Sequence, residues 1–134
     1  DEVMVYFANI LADSKSELKK FDFSSCRLND AGLIYLINAL QNNKTISSFK
    51  LCDNFFSEEI EPLLLETLNR NTTLTEMVLT GNRFSHSCLQ KTKKVTLRNN
   101  KMIADLEPNR LKAEIYRLRF EHNKLEQAKN LLNS

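Results

Sequence analysis

The sequence predicts an α/β fold in which short parallel strands lie inside and helices lie outside. Three segments of the 134-residue chain superpose without gaps, at residues 18–28, 46–56 and 74–84, so each begins 28 residues after the last. Apolar residues alternate in the middle of each segment, as in a strand with one buried face, and between segments they recur at helical spacing. One such unit cannot bury its own apolar face, so the units must stack side by side.

The strand segments read LKKFDFSSCRL, ISSFKLCDNFF and LTEMVLTGNRF. Their shared alternation places Phe21, Phe49 and Met77 at equivalent inward positions, and we expect these side chains to line up in adjacent layers. A polar slot follows each strand, at Asn54 and Asn82, with Cys26 in the first unit. We expect a buried side chain there to bond the carbonyl groups of its own loop and of the neighbouring unit.

The helical half of each unit is predicted from apolar residues three and four positions apart. Residues 4–14 resemble the helix of a preceding, incomplete unit. Because the chain also lacks an initiating Met, we expect it to be a fragment of a longer protein. The buried helical faces are predicted at Leu33, Leu36, Ile37 and Leu40, then at Leu64, Leu65 and Leu68.

The pattern L-x-x-L-x-L-x-x-N/C-x-L, the 28-residue step and the Asn-x-Thr link before a strand resemble the ribonuclease-inhibitor-like class of leucine-rich repeats. The resemblance covers residues 18–99 and implies a curved solenoid that binds partners on its concave surface. Alternation places nine residues on that surface, here called the sheet-face set: Lys20, Asp22, Ser24, Ser48, Lys50, Cys52, Glu76, Val78 and Thr80.

The third unit is expected to lose its helix pattern, because Thr92, Lys93 and Thr96 occupy slots that hold Leu or Ile earlier. No fourth strand follows, so the last layer needs a cap. Pro108 predicts either a new helix or a kinked continuation, which gives a repeat domain at residues 1–106 and a C-terminal helix at 107–134. The predicted cap residues are Cys88, Leu89, Val95, Met102, Ile103 and Leu106.

The C-terminal helix carries apolar residues spaced alternately four and three apart. With leucines at position d and Ile115 at a, the pattern favours a parallel two-stranded coiled coil, and the alternative is a helix folded back on its own solenoid. In a parallel pair Glu107 would face Lys112 and Glu114 would face Arg119, whereas Glu121 would face Glu126. The heptad stripe comprises Leu111, Ile115, Leu118, His122, Leu125, Lys129 and Leu132.

No motif for catalysis or cofactor binding occurs: there is no glycine-rich phosphate loop, no HExxH and no nucleophile elbow, so we expect no enzyme, cofactor or metal. His86 and Cys88 leave a hydrolase as a minor alternative, against a cap cysteine. Basic residues dominate residues 86–134, with 11 Lys and Arg against 5 Asp and Glu, yet no aromatic residues interleave with them for base stacking, so nucleic acid is not the expected partner. No apolar run reaches membrane-spanning length.

These observations favour a non-enzymatic scaffold whose solenoid binds a protein partner and whose C-terminal helix forms a parallel homodimer. The alternative is a monomeric recognition or inhibitor module that binds one enzyme through the concave face. The chain resembles the repeat-plus-coiled-coil proteins of centrosomes and cilia, and more distantly tropomodulin, which caps actin filaments. The resemblance implies a cytoplasmic protein of the cytoskeleton or cilium; the partner's identity stays open.

Overall fold

The computed structural model describes residues 2–13, 15 and 17–133. Three short strands form one parallel sheet in the order β1-β2-β3. The division into two compact units falls between Asn100 and Lys101, ahead of the predicted boundary at 106/107, because burial ends at Asn99. In chain order the elements are α1 (Glu2–Ala12), β1 (Lys20–Asp22), α2 (Asp30–Leu40), β2 (Ser48–Lys50), a 3-10 turn (Glu58–Ile60), α3 (Glu61–Arg70), β3 (Glu76–Val78) and α4 (His86–Leu132).

The strands pair in the register that the repeat predicts. Phe21 lies beside Phe49, and Phe49 lies beside Met77, so the three inward side chains do form adjacent layers. The rings of Phe21 and Phe49 are stacked, with centroids 5.9 Å apart and an interplanar angle of 18°. The alternation of one buried and one outward residue in each strand therefore continues across the whole sheet.

Helices cover the buried side of the sheet. The predicted faces of α2 and α3 are buried, except that Leu65 is only half-buried. Helix α1 begins and ends 28 residues before α2, packs against it, and buries Met4 and Leu11, so it is the helix of a preceding unit, as predicted. It ends at Ala12 rather than at residue 14, which lies outside the described residues.

Asn54 links neighbouring units through its side-chain amide. Its Oδ1 accepts the backbone N–H groups of Cys26, at 3.1 Å, and of Leu28, at 3.0 Å. Its Nδ2 donates to the carbonyl oxygens of Phe23 and Leu51, at 2.9 and 3.1 Å. The side chain is buried, so these bonds satisfy groups that have little access to water.

Asn82 repeats this arrangement one unit later, where its Nδ2 donates to the carbonyl oxygens of Leu51 and Leu79. The prediction for the asparagine slot is therefore confirmed at both positions. It is wrong for Cys26, whose side chain is exposed and whose Sγ donates to the carbonyl oxygen of Ser24 at 3.4 Å. A thiol is too weak a hydrogen-bonding group to replace the two-sided amide.

A second link between units joins a carboxylate in one helix to the serine that precedes the next helix. Ser57 donates its backbone N–H and its hydroxyl to Asp30 of α2. Ser85, 28 residues later, donates the same two groups to Glu61 of α3. Each carboxylate thus stabilises the serine that caps the next helix, where negative charge is also favoured by the helix dipole.

The third unit keeps its helix, contrary to the sequence-based expectation. Thr92 and Thr96 lie 28 residues after Leu64 and Leu68 and are buried as those leucines are. A threonine can be buried on a helical face when its methyl group packs inward, so the polar residue type did not mean a lost helix. Asn99 is fully buried there, and its Nδ2 donates to the carbonyl oxygen of Leu74 at 2.8 Å.

The predicted cap is correct in its first half only. Cys88 and Val95 are buried and Leu89 packs half-buried against the core. Met102, Ile103 and Leu106, in contrast, are exposed by 41, 38 and 57% of their surfaces. They lie beyond the point at which α4 stops contributing buried residues, so they do not cover the last layer.

The repeat ends where charged residues occupy the next strand slots. The 28-residue step carries Phe49 and Met77 to Asp105, and Leu51 and Leu79 to Glu107. Two carboxylates at inward positions would have to be buried unpaired in a fourth strand, so the chain stays helical instead. Helix α4 continues without interruption through Pro108, and the prediction of a separate helix beginning there is wrong.

Candidate functional site: the sheet face and the heptad stripe

The sheet-face set forms one continuous surface on three adjacent strands. Lys20 lies beside Ser48 and Ser48 beside Glu76, while Asp22 lies beside Lys50 and Lys50 beside Val78. The structure therefore brings these predicted positions together in two rows across the sheet. Exposure varies along the set: Lys20, Asp22, Glu76 and Thr80 are exposed, Ser24, Lys50, Cys52 and Val78 are half-buried, and Ser48 is buried.

Charges of both signs alternate on this surface. Ser48 donates its hydroxyl to Glu76 Oε1, and Lys50 Nζ lies 3.9 Å from the same oxygen. The backbone N–H and hydroxyl of Ser24 lower the pKa of Asp22, and Lys50 adds a smaller electrostatic contribution. Exposed pairs of this kind stabilise the fold little, but their pattern of alternating charge can select a complementary partner.

An exposed aromatic residue near this surface was missed by the sequence analysis. Phe55 follows β2, is 67% exposed, and donates its backbone N–H to the carbonyl oxygen of Leu28 at 2.7 Å. Its place between the buried residues Asn54 and Phe56 was the available signal, because alternation points the middle residue outward. Aromatic side chains often anchor protein interfaces, so Phe55 supplies what the nine predicted residues lack.

The heptad stripe is exposed along its whole length. Every described residue from 101 to 133 is exposed, and the five apolar members of the stripe keep between 50 and 88% of their surface accessible. Isolated helices with such a stripe usually bury it against another helix. Among the residues described, no helix combines the length and apolar character that crossing a bilayer requires.

Ion pairs within α4 flank the stripe. Glu114 accepts a hydrogen bond from the Arg117 guanidinium, which also lies 3.8 Å from Glu121. These carboxylates, Glu114 first, raise the pKa of Arg117. Arg110 lies 3.6 Å from Glu107 in the same way. The Arg117 charge offsets that of Glu121, which weakens the repulsion that a parallel pair would place between Glu121 and Glu126.

The residues considered for catalysis are poorly suited to it. Cys88 is buried, and burial followed by the nearby Glu61 carboxylate raises the pKa of its thiol to about 11. A reactive cysteine needs the opposite shift and access to solvent. His86 is exposed at the start of α4. Within residues 2–13, 15 and 17–133, no group of three or more His, Cys, Asp or Glu side chains is arranged to hold a metal ion.

Fold and surfaces together describe a mixed α/β protein with a small parallel sheet of repeated strand–helix units and a long C-terminal helix. No protein-family model and no curated protein matches the chain. Among solved structures it is similar to one titled "Leiomodin-1 Actin-Binding Site 2 (ABS2)", with 20% identity, a TM-score of 0.60, and coverage of 86% of this chain and 80% of the other.

A second solved structure is the tropomodulin C-terminal domain of Caenorhabditis elegans, with 10% identity, a TM-score of 0.46, and coverage of 79% of this chain and 98% of the other. The likeness to the leiomodin-1 structure shows that the two chains share a fold. The assignment to the ribonuclease-inhibitor-like class of repeats stays a prediction.

Proposed function

We propose that this chain is a non-enzymatic, protein-binding component of the cytoskeleton, in which the sheet-face set holds a protein partner and the heptad stripe joins a second copy. The proposal extends the strand–helix stack to a leucine-rich repeat solenoid that continues into neighbouring units. It places the protein in the cytoplasm, with the ciliary or centrosomal setting as a narrower prediction. The exposed heptad stripe is the observation that carries the proposal.

The stripe supports self-association because its exposure is costly to leave uncompensated. Burying one leucine contributes about 1.5–3 kcal/mol. Leu111, Leu118, Leu125 and Leu132 recur every seven residues at the position that prefers leucine in parallel dimers, and Ile115 supplies the branched residue at position a. His122 and Lys129 weaken the other a positions, so we expect a reversible dimer rather than a permanent one.

Mass measurement in solution tests this step. Light scattering across a concentration series should show the chain rising from its monomer mass of 15.6 kDa towards twice that value. The double variant Leu118→Glu/Leu125→Glu should stay monomeric, because it puts four charges into the dimer core. The matched control is Tyr116→Glu/Leu131→Glu, which adds the same charge at exposed positions outside the stripe and should dimerise like the parent chain.

A parent chain that stays monomeric at every concentration would contradict self-association and favour the monomeric recognition or inhibitor module. A control variant that dissociates as fully as the stripe variant would show that added charge, rather than the stripe, controls the mass. Antiparallel pairing would be revealed by spin labels placed at one end of the helix that lie far apart in the dimer.

Actin is the first partner to test, because the solved structure that shares the fold is titled as an actin-binding site of leiomodin-1. Co-sedimentation with actin filaments and pull-down of actin monomers should both be measured. The variant Lys20→Glu/Val78→Arg changes the sheet-face set and should weaken binding at least tenfold. Arg70→Glu/Ile34→Arg makes the same two kinds of change on exposed helix positions and should bind as the parent does.

Equal losses in the two variants would show that the sheet-face set does not bind actin. Absence of binding in both assays would remove actin as the partner, and the dimer measurement would then stand alone. The two experiments thus separate the partner from the self-association.

A further inference from the structure

The strand β3 has a free edge. Glu76 donates its N–H to Ser47, and the carbonyl oxygens of Val78 and Thr80 accept from β2 and the residues after it, at 2.9 and 3.0 Å. In a parallel sheet, alternate residues direct their backbone groups to opposite sides. Met77 and Leu79 therefore direct their N–H groups away from β2, to the side where the sheet ends.

A groove runs along this edge. Its lining consists of Met77, Val78, Leu79 and Thr80 from the strand side and Leu89, Thr92, Lys93 and Thr96 from α4. Met77 and Leu89 pack against the core but stay half-buried, so the last apolar layer is only partly covered. Thr92 is buried, and its hydroxyl has no hydrogen-bond partner among the described residues. An unpaired buried hydroxyl is a group that an incoming chain could satisfy.

We propose that this edge accepts an extended segment of a partner protein as a fourth parallel strand. Main-chain hydrogen bonds to Met77 and Leu79 would supply affinity, and alternate side chains of the segment would enter the groove. The proposal goes beyond the function proposed above, because it uses the edge of the sheet rather than its outer face or the heptad stripe. It also assigns a role to the strand slot that the chain itself leaves empty.

The repeat register specifies the chemistry of the segment. The inward row runs Phe21, Phe49, Met77, so the next position takes an apolar side chain. The outward row runs Lys20, Ser48, Glu76, so a Lys or Arg in the segment would lie beside the Glu76 carboxylate. The expected partner segment is therefore extended, apolar at one position, and basic at the position before it.

A second copy of the chain does not fit this slot through its own first strand. Helix α1 precedes β1 by the same 28-residue step that separates α2 from β2, and residues 86–96 of α4 hold the equivalent place before the empty slot. Docking β1 of a second copy beside β3 would therefore put its α1 where α4 already lies. The segment must come without a preceding helix of this kind.

The peptide ELKKFDFS, residues 17–24 of this chain made alone, is a suitable probe because it has the required pattern and lacks α1. Titration into the isotope-labelled protein should shift the backbone amide signals of Met77 and Leu79 and slow their hydrogen exchange at least tenfold. In the parallel register the Asp22 N–H of the peptide points to β3 and its Phe21 N–H points away. Methylation of the Asp22 nitrogen should weaken binding at least tenfold, and methylation of the Phe21 nitrogen should leave it within twofold.

Equal affinity of the two methylated peptides would overturn the proposal, since binding would then not use the strand edge. Absence of shifts at Met77 and Leu79 with 2 mM peptide, on the order of the weakest specific affinities, would overturn it too. Protection of these amides by concentration alone, without peptide, would assign the edge to a second copy and would also refute the proposal. The heptad variants report separately on self-association.

Discussion

Replacing Asn54 by Ala tests whether the asparagine slot holds the units together. The bonds to the Leu28 N–H and to the Phe23 and Leu51 carbonyls lie in buried surroundings, so the substitution leaves three backbone groups unpaired. A buried unsatisfied group costs about 1–3 kcal/mol. We therefore expect the free energy of unfolding to fall by about 3–6 kcal/mol, since the three costs add.

Asn82→Ala is the matched control, because it makes the same change in the same slot. The bonds of Asn82 to Asn54, Leu51 and Leu79 are all only partly buried. Water can replace such bonds at low cost, so a loss of about 1–2 kcal/mol is expected. Urea denaturation followed by circular dichroism measures both variants, and an unchanged m-value would show that the folded states are equally compact. Equal losses in the two variants would refute the reasoning, because burial would then not set the cost.

Three further predictions concern single side chains. Gly81→Ala should cost about 1–2 kcal/mol, because φ is +75° and the new Cβ would lie 1.9 Å from Asp53 Oδ1; Asp53→Ala should recover part of this loss in urea titrations. Thr92→Val should raise the free energy of unfolding by about 1 kcal/mol, since it removes a buried unpaired hydroxyl. Cys88 should react with iodoacetamide far more slowly than Cys26, as mass spectrometry would show. Because folding raises the Cys88 pKa from 9.0 to about 11, the unfolded chain ionises first, so stability should fall between those pH values, and less so in Cys88→Ala.

The strands and their register could be predicted from the sequence because every unit repeats the same contacts. Phe21, Phe49 and Met77 occupy equal slots, so an error of one residue would have moved all three to the outer face. The amides at Asn54 and Asn82 were predictable for the same reason. A repeated environment turns a weak single-site signal into a strong one.

The end of the repeat could not be predicted from residue type alone. Thr92 and Thr96 look polar in sequence, yet α4 buries both. Pro108 suggested a new helix, but the helix continues through it, because one missing N–H in a helix of 47 residues leaves the bonds of the flanking turns in place. Comparison of the inward slots, which reach Asp105 and Glu107, was the signal that would have located the last strand.

The sheet face was placed correctly by alternation, whereas its neighbour Phe55 was not considered. Alternation identifies which residues point outward within a strand, but the loop after β2 has its own geometry, with a positive φ at Asp53. Neither the partner nor the binding residues follow from the fold, since many unrelated proteins use the same arrangement of strands and helices.

Asp105 and Glu107 also determine how the chain can be lengthened. Since they close the array from within the continuing helix, a unit added after them would meet no compatible neighbour. A copy of residues 46–73 inserted before Leu74 would preserve every contact at both of its borders, because the 28-residue step carries each side chain onto its equivalent. The length of this protein is therefore adjustable in the middle and fixed at its carboxyl end, so gene duplication or protein design can extend it only by internal insertion.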